Sequence, residues 1–184
     1  MNKLKIECTA SPETNDHKAS IIIDGNDWLG EEYMGLDPPR LFKQESLLAG
    51  GNTLIGRCNC GCEGCGDYFV EVEISVDKVQ WKSINGPILS FDRTEYENEI
   101  NFKRNDNSWE DKNRTAERFV DSIFDSIVLA DGYKYDWASA RIGKGKISLS
   151  FSKGAQQKLI DFGWDPENPE SAKKRAMQIR AEMT

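Results

Sequence analysis

The sequence predicts an α+β fold, a mainly antiparallel sheet with about four helices packed on it, and three observations carry that expectation. Tyr68, Val70, Val72, Ile74 and Val76 alternate with Glu71, Glu73 and Asp77, the period-two pattern of a strand with one wet face. Ala116, Phe119, Val120, Ile123, Phe124 and Ile127 recur at helical spacing, with Glu117, Arg118, Asp121 and Asp125 assigned to the outer face. Strand-like and helix-like segments come in blocks rather than as alternating βαβ units, which favours antiparallel pairing. Across its 184 residues the chain shows no repeat, linker or low-complexity tract. It therefore reads as a single domain, 1–184, with a cysteine-rich loop at 56–67 between two strands.

The elements follow in order. Leu4, Ile6 and Cys8 alternate with charged residues, and Ser20-Ile21-Ile22-Ile23 forms a second apolar run ending at the turn-forming Asp24-Gly25-Asn26-Asp27. The two are expected to pair as an antiparallel hairpin. Asp37-Pro38-Pro39 marks a helix start, because proline suits a first turn where its missing N–H is not needed. Leu41, Phe42, Leu47 and Leu48 supply the buried face of that helix, and Gly50-Gly51 its stop. Thr53-Leu54-Ile55 leads into the cysteine loop. After the Tyr68 strand, Asp77-Lys78 turns the chain into Val79 and Trp81, and a short strand passes through Ile88-Leu89. Asp92 with Glu95 three residues on caps a helix with Tyr96, Ile100 and Phe102 inward. The Ala116 helix starts near Ser108–Asp111. Strands through Tyr133–Ser139 and Ile147–Phe151 join at Gly143-Lys144-Gly145, and Leu159–Phe162 suits a strand or a short helix. Asn168-Pro169-Glu170 opens a last helix, with Ala172, Ala176, Ile179 and Met183 on one face.

Composition narrows the function classes. The formal charge is −7 and the pI about 4.9, whereas nucleic-acid binders draw most of their affinity from basic faces. Lys173-Lys174-Arg175 is offset by Glu167, Glu170 and Glu182 and reads as a solvated helix face. No nucleic-acid partner is expected, and no membrane, since no window approaches a span of ~18 apolar residues. Met1 to Ser11 lacks the apolar stretch of a signal peptide, so the cytoplasm is the expected location. There, cysteines stay reduced or hold metal more often than they form disulfides. A protein partner, a basic one for preference, suits the acidic surface.

The distinctive chemistry lies in Cys58-Asn59-Cys60-Gly61-Cys62-Glu63-Gly64-Cys65-Gly66. Thiolates hold soft and borderline metals, and glycines let the backbone fold tightly around an ion. Cys62-x-x-Cys65 has the usual zinc-knuckle spacing; Cys58-x-Cys60 is less usual. The loop admits a structural zinc site on Cys58, Cys60, Cys62 and Cys65, or on three of them with Cys8 or His17 as the fourth ligand. Second to that stands a metal-free turn with reduced thiols or a Cys60–Cys65 bridge, and after it a redox-active thiolate pair. Iron–sulfur ligation is disfavoured because the spacing matches neither common ferredoxin pattern.

The stretch Gly56 to Gly66, followed by Val70-Glu71-Val72 and Trp81, resembles a loop in a family of uncharacterised bacterial proteins with a Gly-Arg-Cys-x-Cys-Gly-x-x-Gly-Cys-Gly pattern. Phe91-Asp92-Arg93-x-x-Tyr96, Trp109 and Trp164-Asp165 are similar too, extending the resemblance over Ile23 to Ala176. That family has no established activity, so the resemblance implies a bacterial origin and an intact fold but no function. Its pattern lacks a cysteine at the position of Cys62, which makes Cys58, Cys60 and Cys65 the implied core ligand set.

Other candidates have plainer readings. His17, the single histidine, lies in a polar segment and reads as an exposed loop residue rather than a general base. Lys144-Gly145-Lys146 lacks Walker spacing and reads as a hairpin turn. Asp24, Asp27, Glu31, Glu32 and Asp37 have no EF-hand spacing, and in a chain with 31 acidic residues such groupings arise unaided. The segment Trp28 to Pro39 still combines exposed charge with Trp28 and Tyr33 and is the best candidate for a binding loop. The five tryptophans are expected to pack in the core or at its rim. No catalytic set emerges. The expectation is an acidic cytoplasmic binding or accessory protein with a zinc-binding loop, or else a thiol-redox enzyme or sensor using Cys60 and Cys65.

Overall fold

A computed structural model describes residues 1–10, 17–60, 65–83 and 86–183. Read from sequence as one domain, the chain groups into two compact units, Met1–Trp109 and Glu110–Thr184, each with its own core. The class is α+β with antiparallel sheets throughout.

In the first unit, β1 (Leu4–Ala10) and β2 (His17–Ile23) pair antiparallel from Leu4 opposite Ile23 to Ala10 opposite His17. Asp24 and Gly25 turn the chain into β3 (Asn26–Asp27) with φ of +51° and +85°. Two successive left-handed residues match a type I′ turn, which asparagine, aspartate and glycine tolerate. A second sheet runs β4 (Tyr33–Gly35), β5 (Gly51–Cys58), β6 (Tyr68–Ile74), β7 (Lys78–Lys82), β8 (Leu89–Asp92), each neighbour antiparallel. The two sheets meet at both edges. Ala19 donates its N–H to the Leu36 carbonyl at 2.7 Å, and Asn2 donates to the Ser90 carbonyl at 2.6 Å. The strands thus run round in a ring, with Ile6, Ile21, Leu36, Ile55, Val72 and Trp81 among its buried residues.

Ring closure needs a glycine. A Cβ on Gly35 would overlap the carbonyl oxygen of Ala19, so any larger residue would force β4 away from β2. Helix α3 (Arg93–Asn105) packs against β1, β7 and β8, and Asp92 caps it by accepting from the Glu95 N–H at 3.0 Å. Tyr96, on its inner face, accepts from Trp81 Nε1 at 3.2 Å and donates to the Leu47 carbonyl at 2.9 Å. Every polar atom of that buried aromatic pair is therefore matched.

The expected single helix after Asp37 forms as two short ones, α1 (Pro38–Phe42) and α2 (Ser46–Ala49), which brings the helices among the described residues to five. Gln44 explains the break: its side-chain amide accepts from Leu54 N–H at 2.9 Å and donates to Leu54 O at 2.8 Å, standing in for a strand partner. Val76 is 92% exposed because Ser75 N–H bonds Lys78 O and lifts it into the turn. Phe102, assigned inward from sequence, is 65% exposed; it sits across the helix from Tyr96 and Ile100.

The second unit comprises α4 (Lys112–Phe124), the meander β9 (Lys134–Gly143), β10 (Lys146–Lys153) and β11 (Gln156–Gly163), and α5 (Pro169–Met183). Both helices lie on one face, over Ile147, Leu149, Phe151 and Phe162. Asp111 is the N-cap of α4, accepting from Arg114 N–H at 2.8 Å. Leu159–Phe162 forms part of a strand, β11. In β9 the register slips at Asp136, so Tyr135 stacks on Phe124 and meets Phe151 edge-on while Trp137 turns outward. Strict alternation would have put Tyr135 and Trp137 on the same face.

Glu117, assigned to the wet face of α4, is buried. It accepts from Arg114 Nη1 at 2.9 Å, from Arg141 Nε at 3.0 Å and from the Ala140 N–H at 2.8 Å. Its partner Arg141 lies 24 residues away, beyond the reach of a helix-period reading.

Two substitutions test these constraints. Gly35→Ala should lower unfolding stability by at least about 2 kcal/mol in urea titration, since backbone meets the new methyl and cannot rotate aside. Glu117→Ala should cost about 3–5 kcal/mol, because it removes a buried carboxylate that accepts from Arg114, Arg141 and the Ala140 N–H; replacement of a surface acid such as Glu73 should change stability by less than about 1 kcal/mol.

Candidate metal centre

The cysteine loop forms the tip of the β5–β6 hairpin. Cys58 is the last residue of β5 and lies opposite Tyr33 of β4, with Met34 opposite Arg57 and Gly35 opposite Gly56. A bulge between Leu54 and Gly56 shifts the β5–β6 register so that Gly56 faces Tyr68. Gly56 is tightly held, since a Cβ there would stand 2.8 Å from the Leu29 side chain.

Beyond Cys58 the loop is fastened by Asn59. Its side-chain amide donates to the Glu31 carbonyl at 2.6 Å and its backbone N–H to the Glu32 carbonyl at 3.2 Å. The Cys60 N–H then points back to the Cys58 sulfur at 3.5 Å. On the return side, Gly66 passes so close that an added Cβ would lie 3.2 Å from that of Cys58. These contacts bring the sulfurs of Cys58, Cys60 and Cys65 within 4.8 Å of one another. Cys58 is half-buried, and the other two are exposed.

The chemistry of that trio is uniform. All three donors are sulfur, and an N–H already points at one of them, as at many thiolate sites. The Cys65 thiol is held above its ordinary pKa by its hydrogen bond with Cys60, then by the negative charge that Cys60 and Cys58 can carry. Gathering three thiolates without a cation is unfavourable, and a cation among them removes the penalty. Zn–S bonds are about 2.3 Å, so thiolates sharing one ion stand roughly 3.8 Å apart; small side-chain rotations would bring the trio to that spacing. Three close cysteines can therefore bind a metal ion, and the donor set suits a thiophilic one.

The other predicted ligands fall elsewhere. Cys62 lies outside the described residues. Cys8 sits in β1 opposite Ala19, and burial pushes its thiol up to about 11. His17, expected as an exposed loop residue, is instead the buried first residue of β2, its ring 5.2 Å from Trp109 and edge-on. Neither joins the sulfur trio.

The acidic residues near Trp28 are dispersed. Asp24 accepts from the Asn2 side chain and the Lys3 N–H, both at 2.7 Å, and Asp27 from the Leu29 N–H at 3.1 Å. The aromatics of Trp28–Pro39 turn inward rather than outward. Trp28 packs edge-on to Tyr68 at 5.4 Å and near Trp81 at 6.1 Å, and Tyr33 meets Tyr68 at 4.9 Å. The backbone of Glu31–Tyr33 meets the cysteine loop through Asn59 and Cys58, with the Glu31 and Glu32 side chains exposed.

Sequence reasoning missed Asn59. No pattern marks it, because its partners are backbone carbonyls 28 and 27 residues earlier, which become neighbours only once β4 lies beside β5. No family model, curated protein or solved structure matches the chain. The reading of this centre therefore rests on its own geometry.

Alkylation separates the thiols. In mildly alkaline buffer without metal, iodoacetamide should label Cys60 and Cys65 well before Cys8, whose labelling should rise only as pH approaches about 11. Peptide mapping over a pH series checks the order; early labelling of Cys8 would contradict its burial.

Proposed function

We propose that the chain is a binding or accessory protein whose β5–β6 tip is shaped by a structural zinc ion on Cys58, Cys60 and Cys65, with Cys62 as the fourth thiolate. The observation that carries this reading is the approach of three sulfurs within 4.8 Å at the end of one hairpin. The donor types support zinc in particular. Structural zinc sites are closed and thiolate-rich, whereas catalytic ones keep an open position and usually include histidine or carboxylate. The chain's only histidine is buried away from the trio.

Zinc there would tie the hairpin tip to the Glu31–Tyr33 segment through Cys58 and Asn59. The ion would thus set the shape of a surface bearing Glu31, Glu32 and Asp67. Acidic residues outnumber basic ones by 19 to 11 in Met1–Trp109, whereas in Glu110–Thr184 they number 12 against 13. A partner with a basic face suits such a surface, and a protein partner in the cytoplasm is the reading we favour. No helix among the described residues is long and apolar enough to cross a membrane.

Native mass spectrometry with metal analysis, on protein purified reduced and without chelator, tests the proposal. One zinc per chain is expected. Serine at Cys58, Cys60 or Cys65 should abolish stoichiometric zinc and lower the thermal midpoint of the zinc-loaded protein towards that of the metal-free chain. A chain that stays metal-free with zinc supplied in excess would overturn it.

A further inference from the structure

Resting on that zinc reading, we propose that the loop is a peroxide-responsive latch, in which Cys60 and Cys65 are oxidised to a disulfide and the ion is released. The three sulfurs are not equivalent. Cys58 is half-buried at the end of β5, is held in a ladder pair with Tyr33, and accepts the Cys60 N–H. That hydrogen bond withdraws electron density from its sulfur and lowers its nucleophilicity. Cys60 and Cys65 are exposed, lie within 4.8 Å of each other, and stand on opposite sides of the loop. Solvent oxidants reach these two first.

A bridge requires the two sulfurs to close from within 4.8 Å to about 2.05 Å. The strands on either side stay anchored independently, through the Asn59 contacts and the β5–β6 ladder. Oxidation should therefore remodel the tip without unfolding the sheet.

The oxidant is a hydroperoxide. A thiolate of the pair attacks its terminal oxygen; an S–O bond forms, the O–O bond breaks, and the alkoxide or hydroxide leaving group takes a proton from water. The second thiolate then attacks the sulfenic sulfur, forming the S–S bond and expelling hydroxide, which is also protonated. Two electrons pass from the sulfur pair to the peroxide, two protons are consumed, and zinc, left with too few thiolates, passes to solvent. A thiol reductant with zinc present reverses the change.

The test uses the full chain loaded with zinc, its stoichiometry measured first. Hydrogen peroxide is added in small excess; zinc release is followed with a chromogenic chelator, and the thiols by peptide mapping. The expected result is release of the bound zinc in step with loss of two hydrogens at Cys60 and Cys65, both restored by dithiothreitol and zinc. Cys60→Ser and Cys65→Ser should each abolish the bridge. Cys58→Ser should weaken zinc binding yet still form the bridge, which separates oxidation from metal loading. Zinc retained under peroxide, a bridge mapping to Cys58 or Cys62, or irreversible sulfinic acid would each overturn the latch while leaving the zinc reading intact. A reduced chain that takes up no zinc would overturn the zinc reading and the latch with it.

Discussion

The cysteine centre depends on one steric constraint, the contact of Gly35 with Ala19. Only a residue without a Cβ lets β4 lie flush against β2, and the Ala19–Leu36 hydrogen bond then joins the two sheets at that edge. The same placement sets β4 beside β5, which puts Tyr33 opposite Cys58 and the Glu31 and Glu32 carbonyls within reach of Asn59. A backbone contact near the middle of the unit is thus transmitted through strand register to the geometry of sulfur atoms at its rim. Register is a discrete quantity, so a slip would move Cys58 to the other face rather than shift it slightly.

The first unit combines a hydrogen-bonded ring of strands with a tip that gathers three sulfurs. Inside, Trp81 packs edge-to-face against Phe91 and Tyr96, and the Tyr96 hydroxyl links the Trp81 indole to the Leu47 carbonyl, so the aromatic core is both buried and matched. At the tip, backbone contacts bring together three sulfurs that would repel one another as thiolates. The rigid part holds the unfavourable part in place, as at many sites built for a cation. The second unit handles buried charge differently. Glu117 has three protein donors of its own, two of them guanidinium groups, so its charge is matched internally.

Much of the fold was legible in local pattern. The β1–β2 hairpin, the Tyr68 strand, the Asp92 cap and the Ala116 helix all rest on contacts between residues near in sequence or on a single wet face. Where the reading missed, a long-range partner had intervened. Gln44 divided a helix by pairing with Leu54, Arg141 drew Glu117 inward, and the slip at Asp136 put Tyr135 and Trp137 on opposite faces. His17 became a buried strand residue because its ring found Trp109, which no neighbouring residue could signal.

By itself the sequence determined the chemistry on offer: an acidic α+β chain with soft sulfur donors and glycines in one short loop, and a lone histidine remote from it. Donor type and residue spacing are properties of the covalent chain, so they can be read directly. Only the tertiary structure decided that Cys58, Cys60 and Cys65 converge, that Asn59 fastens the loop, and that Trp28 and Tyr33 pack on Tyr68. Those outcomes depend on which strands lie side by side. That choice is made by burial and backbone pairing summed over the whole unit, which no local stretch of residues contains.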